Sequence, residues 1–141
     1  MDRLEMLRRL IAVGAPGVII AHQWAMAMDL ARDPSFKVTV VDARDEALAR
    51  VRERYGVGGR KSDLGDPAEV KKAVADADIV LGALSSVIGL QTLRAVIEAR
   101  RQYVDISFMA EDATQLDGLA KESGVCRSEE HTSELQSPYV I

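Results

Sequence analysis

The stretch Leu10-Ile-Ala-Val-Gly-Ala-Pro-Gly-Val-Ile19 decides the fold. Its first four residues are a short, wholly apolar run, as expected of a strand covered on both faces. Gly14-Ala-Pro-Gly17 then turns the chain. A helix is expected to follow through Arg32, with Ile20, Trp24, Met28 and Ala31 at helical spacing. Strand, glycine turn and helix in that order make the first unit of an alternating α/β chain.

The alternation continues to the end of the domain. Asp33-Pro34-Ser35 stops the first helix, because proline biases its predecessor to extended geometry. Lys37-Val-Thr-Val-Val41 is the second strand and ends at Asp42, after which Ala47, Leu48, Val51 and Tyr55 stripe a helix that Gly56 terminates. A short third strand is expected within residues 57–61. Asp66-Pro67-Ala68-Glu69 then combines a cap, a first-turn proline and an acid three residues on, which is a strong helix start. Ile79-Val-Leu-Gly-Ala-Leu84 is a continuous apolar strand. Leu90, Leu93 and Ile97 stripe the next helix, Tyr103-Val-Asp-Ile106 is a fifth strand, and a last helix runs from near Asp112 to Gly124. Val125 reads as the start of a sixth strand that is not completed. Strict alternation implies crossovers and a doubly wound parallel sheet, an α/β fold with helices on both faces.

Composition fits this reading. The 141 residues carry 18 Lys+Arg against 22 Asp+Glu, with 48% apolar and 4% aromatic residues, enough for one domain with a real core. No apolar run approaches the roughly 20 residues of a membrane span, and the flank Met1-Asp2-Arg3-Leu4-Glu5 does not resemble a secretory signal. The single cysteine, Cys126, excludes an internal disulfide and a Cys-cluster metal site. A net charge of −4 gives no basic excess to meet phosphate backbones, so no nucleic-acid or membrane partner is expected. A cytoplasmic domain is the resulting expectation.

Residues 127–141 stand apart from the domain, which is read as residues 1–126. Arg127 to Ser137 is polar and lacks helical or alternating periodicity. It can be spelled in codons that resemble a short-read sequencing adapter along their whole length. The tail is therefore expected to be disordered and artefactual, with no role for His131. His22 has no second His or Cys partner and reads as a surface or packing residue; Trp24 reads as core. The group Arg44, Arg50, Arg52, Arg54 and Arg60, interspersed with Asp45, Glu46 and Glu53, reads as a solvated face.

Ligands of such sheets bind at the carboxyl ends of the strands, near the point where strand order reverses. Three features lie at those ends. A dinucleotide fingerprint would place glycines at positions 14, 16 and 19, whereas the chain has Gly14, Pro16 and Ile19 and adds Gly17. Backbone N–H groups at the helix start can still hold a pyrophosphate. Pro16 donates none, and one lost charge-assisted bond is worth roughly 1.5–3 kcal/mol. Asp42 ends strand two, 28 positions after Gly14, where an acid about 20 residues beyond the glycine loop binds ribose hydroxyls; a surface Asp that caps the next helix is the other reading. It favours NAD slightly. Arg44 could accept a 2′-phosphate and keeps NADP open. After strand four, Ala83-Leu84-Ser85-Ser86 offers small residues on the other side of the crevice, or a plain helix cap.

Together these segments resemble the amino-terminal, Rossmann-type nucleotide-binding domain of the saccharopine dehydrogenase family. The segments that carry the likeness are Val38-Thr-Val-Val-Asp42, Asp63-Leu-Gly-Asp-Pro67, Asp78-Ile-Val-Leu-Gly-Ala-Leu84, Tyr103-Val-Asp-Ile-Ser107 and Leu116-Asp-Gly-Leu-Ala-Lys-Glu-Ser-Gly-Val125. Members are two-domain oxidoreductases that use NAD or NADP on amino-acid substrates, lysine metabolism included. The resemblance implies that Gly14, Ala15, Gly17 and Val18 line the pyrophosphate and that Asp42 holds the ribose. It further implies that Asp63 and Leu64 flank adenine, that Ala83, Leu84 and Ser85 border the nicotinamide, and that Tyr103 to Ser107 faces the interdomain cleft. Asp105, a buried-looking acid on a strand that ends in the expected cleft, is a candidate for a direct substrate or catalytic role, with main-chain bonding in a turn as the other reading, and Ser107 is a further substrate-cleft candidate. No catalytic acid or base stands out. The resemblance also implies a homodimeric parent whose second domain supplies the substrate contacts, and a fragment inactive by itself. Because of Pro16 and Ile19, a non-catalytic nucleotide-sensing or degenerate binding module remains the alternative.

Overall fold

The computed structural model describes the backbone of residues 9–14, 20–84, 86–106 and 111–129, and the side chains of 25–84, 87–106 and 111–126. Among the described residues, six strands alternate with helices: β1 (Arg9–Gly14), α1 (Ile20–Ala31), β2 (Lys37–Asp42), α2 (Asp45–Tyr55), β3 (Gly58–Lys61), α3 (Pro67–Val74), β4 (Ile79–Ala83), α4 (Ser86–Glu98), β5 (Gln102–Asp105), α5 (Asp117–Ser123) and β6 (Arg127–Glu129). A 3-10 turn, Ala113–Leu116, leads into α5. All neighbours in the sheet are parallel, in the order β3-β2-β1-β4-β5-β6. That is the doubly wound arrangement, and the order reverses between β1 and β4.

Alternation along the strands divides the core in two. Val38, Val40 and Leu81 pack with Ala27 of α1 and Leu48 and Val51 of α2 on one face. Val41, Val80 and Tyr103 pack with Val70 and Val74 of α3 and Leu93, Val96 and Ile97 of α4 on the other. Burial on both faces is why β2 and β4 read as nearly unbroken apolar runs.

Local chemistry sets the helix ends. Gly56 takes a left-handed conformation (φ 65°) and its N–H bonds to Arg52 O, closing α2. At α3 the Asp66 carboxylate accepts from Ala68 N at 2.8 Å, with Pro67 in the first turn. The reciprocal half of a capping box is not made. Glu69 pairs with Lys72, and the Asp66 N–H goes to Asp63 O instead.

Two sequence expectations change. In α1 the buried position is Ala27, flanked by the partly buried Met26 and Leu30, while Ala31 is exposed; the side chains of Ile20 and Trp24 lie outside the described residues. Ala25-Met-Ala-Met is apolar at every position, so the pattern could not set the phase of the helix. The second change concerns the sixth strand, which was expected to be missing. A three-residue strand is present, with Tyr103, Val104 and Asp105 opposite Arg127, Ser128 and Glu129. The free edge of β5 offers a row of backbone donors and acceptors, and pairing with it needs no apolar pattern in the incoming chain. That is how residues with the composition of a tail enter the ladder. Residues 130–141 lie outside the described residues.

Candidate functional site at the carboxyl edge of the sheet

Register brings the ends of five strands to one edge. Val13 is opposite Val41, so Gly14 and Asp42 end neighbouring strands; Gly14 is opposite Ala83, Asp42 opposite Lys61, and Gly82 opposite Asp105. Ser62 N bonds to Asp42 O at 3.2 Å and Ile106 N to Gly82 O at 3.0 Å, which extends the ladder into the loops. Gly14, Asp42 and Ala83, far apart in the chain, thus meet at the switch point. Ala15, Gly17 and Val18, with Pro16 and Ile19, lie outside the described residues, as do Ser85 and Ser107.

At the β2–β3 end the site is ionic. Asp42 shares a strand face with Val38 and Val40, which turn toward α2, and its side chain is only 4% exposed. One of its oxygens accepts from Arg44 N at 2.9 Å and Arg44 Nε at 3.1 Å; the other accepts from Arg44 Nη2 at 3.0 Å. Bidentate binding of this kind is the strong form of an ion pair. The bonds to Asp42 raise the Arg44 guanidinium above its ordinary value, against an opposing effect of burial. Beside it, Lys61 Nζ reaches Asp45 at the start of α2, 2.5 Å away. Arg44 and Arg60 thus stay partly solvated, as the sequence assigned them, but each is fixed by a carboxylate partner. Arg60 clamps Asp76 with two bonds of 3.0 and 3.1 Å and also donates to Ala73 O, tying β3 to the end of α3.

Asp63 accepts from Gly65 N at 2.9 Å in a tight turn, and Gln91 of α4 donates to Gly65 O. Leu64 between them is buried in the α3–α4 core, so only backbone and Asp63 face the edge. Ala83 and Leu84 are likewise buried. Next to them the wall is tightly built. A Cβ on Gly82 would lie 2.0 Å from the Tyr103 hydroxyl and 3.0 Å from Asp105 Oδ1. Tyr103 is 1% and Asp105 0% exposed. Asp105 is thus inside the wall of the cleft rather than on its surface.

The donor set at this edge fits a nicotinamide dinucleotide. Asp42 Oδ1 accepts two bonds and Oδ2 one, all from Arg44, so one acceptor site of the carboxylate is left for a ribose hydroxyl, and the cations Arg44 and Lys61 stand at the same edge. The Lys61–Asp45 pair has almost no signature in the sequence. The only available signal was a lysine at the end of a weak strand, and nothing in the sequence pairs it with the start of the preceding helix. Among the described residues, no group of three or more His, Cys, Asp or Glu is placed to hold a metal ion. No described helix is long and apolar enough to cross a membrane.

Comparison with known proteins agrees with this geometry. A search of curated proteins finds no match. Among solved structures, apo saccharopine dehydrogenase (L-Glu forming) from Saccharomyces cerevisiae superposes with a TM-score of 0.76 at 17% identity, over 88% of this chain and 27% of that one. Biliverdin reductase from Synechocystis sp. PCC 6803, in complex with biliverdin and NADP+, gives 0.62 at 17% identity, over 89% and 39%. The 3-ketoreductase KijD10 from Actinomadura kijaniata, solved with NADP, gives 0.65 at 21% identity, over 92% and 40%. These likenesses show the fold, and the chain spans well under half of each protein. Residues 13–127 match the family described as saccharopine dehydrogenase NADP binding domain, and the chain belongs to that family of oxidoreductase cofactor domains.

Proposed function

We propose that the chain is the cofactor-binding part of an NADP-dependent oxidoreductase that acts on an amino-acid carbon–nitrogen centre. The observation that carries this reading is the meeting of Gly14, Asp42 and Ala83 at the switch point, with Arg44 and Lys61 beside them. The pairing of Asp42 with Arg44 and the cations at the adenosine end support NADP over NAD in this reading. The bound nicotinamide would supply hydride transfer.

The chain's own residues bind and orient. The first turn of α1 and the end of β1 meet the pyrophosphate through backbone N–H groups. The ionic cluster takes the adenosine end. The closed wall of Gly82, Tyr103 and Asp105 gives the reduced ring a dry, rigid backing. Asp105 is fully buried and in no position to exchange a proton with an amine, so proton transfer falls to another part of a longer protein. On this reading the polypeptide binds cofactor without turning over substrate, and the parent is a homodimer.

Titration of the purified chain with NADPH and NADH, followed by nicotinamide fluorescence, is the test. Saturable binding with NADPH tighter is the expected result; no binding of either nucleotide would overturn the reading. Pro16 favours a second reading, a module that has lost or relaxed nucleotide binding, since it removes an N–H from the phosphate loop. The double variant Pro16→Gly, Ile19→Gly separates the two: affinity gained only on substitution marks a degenerate site.

A further inference from the structure

Two cations stand at the adenosine end, and their partners differ. Arg44 is bidentate to Asp42, whose side chain is 4% exposed, while Lys61 holds Asp45, whose side chain is 74% exposed. To turn its bonding face to a ligand, Arg44 would leave a carboxylate charged and unpaired in the interior, which is strongly unfavourable. Releasing Lys61 leaves only a carboxylate that water resolvates at little cost. Lys61 is also the more exposed of the two cations, at 59% against 38%.

Position favours it as well. Gly59 faces Leu48 of α2, and Lys61, two residues on, lies on that same face of β3. Its backbone is the register partner of Asp42, one strand spacing from the expected ribose position. Resting on the cofactor reading above, we infer that Lys61 is the residue that meets the 2′-phosphate of NADP, exchanging Asp45 for the phosphate while Arg44 stays on Asp42. Asp45 then competes with the ligand for Lys61. Glu46, which also lies in the first turn of α2, adds a second negative charge near Arg44.

Binding of NADPH and NADH to the wild-type chain and to Lys61→Gln, Asp45→Asn and Arg44→Gln tests this, with a thermal melt of each variant as a folding control. Lys61→Gln should weaken NADPH roughly tenfold and leave NADH within about twofold, the signature of one lost charge-assisted contact. Asp45→Asn should tighten NADPH by about threefold or more, because the competing carboxylate is gone. Loss of NADPH preference in Arg44→Gln with preference kept in Lys61→Gln would overturn the assignment and leave the cofactor reading standing. Failure of the wild-type chain to bind either nucleotide would overturn both.

Discussion

The two ends of the carboxyl edge are built on opposite principles. At β2–β3, charged side chains pair with one another and, apart from the buried Asp42, lie partly in water. At β4–β5, the polar atoms of Tyr103 and Asp105 are sealed inside the wall, and the decisive feature is a missing atom, the Cβ of Gly82. One end can change partners when a ligand arrives. The other can only be intact or broken, since close-packed interiors leave no room for adjustment. A cofactor lying across such an edge would be recognised at its adenosine end and held rigidly at its nicotinamide end.

The sharpest way to break this comparison is Gly82→Ala. Its methyl would fall 2.0 Å from the Tyr103 hydroxyl, in a wall with no exposed exit. We expect a loss of about 2–4 kcal/mol, or failure to fold, in urea denaturation. A wild-type midpoint would show that the wall gives way. The double variant with Tyr103→Phe should recover only part of the loss, because it removes the nearest clashing atom, the hydroxyl oxygen, while the ring carbon that carried it still lies 2.5 Å from the new methyl.

A smaller loss is expected at the ionic end. Asp42→Asn keeps the shape of the side chain but removes the charge that Arg44 grips. Because Arg44 is more than a third exposed, we expect only about 1 kcal/mol by the same measurement. A loss as large as that of Gly82→Ala would mean that the two ends are equally rigid.

Outside the edge, Asp66→Ala should cost about 1 kcal/mol by removing the bond to Ala68 N at the start of α3. Arg100 closes α4 with φ at 57°, a conformation that costs a non-glycine residue roughly 1–2 kcal/mol. Arg100→Gly should therefore stabilise the chain by about 0.5–1 kcal/mol after its own entropy cost. A decrease in stability would show that the Arg100 side chain contributes more than the strain removes.

The smallest effect is one of pH. The Thr114 hydroxyl and N–H hold the Asp112 carboxyl below its ordinary value of 3.8. A carboxyl lowered in the folded state contributes stability above its unfolded value, and that contribution is lost as pH falls through the folded one. Urea midpoints measured from pH 5 down to pH 2 should fall slightly less steeply in Asp112→Ala than in wild type. Identical slopes would remove this cap from the account.

Much of this architecture was legible residue by residue. Apolar runs at 38–41 and 79–84 marked strands because the sheet is covered there on both faces, the run at 10–13 marked the strand that pairs between them, and Gly56, Asp66-Pro67 and Gly124 marked helix ends because local backbone chemistry decides those. Asp42 could be placed at a strand end for the same reason. What the residues could not show depends on distance in the chain. The phase of α1 was undetermined because every position of its apolar segment suits a core, and β6 formed where backbone pairing mattered and composition did not. Lys61 meets Asp45 only after β3 has docked beside β2, and Asp105 is seen to be wall rather than cleft only once Tyr103 has folded over Gly82. Periodicity and capping are short-range physics and are written in the sequence. Which charge finds which partner, and which acid is shut away from water, is settled by packing between segments that the sequence holds apart.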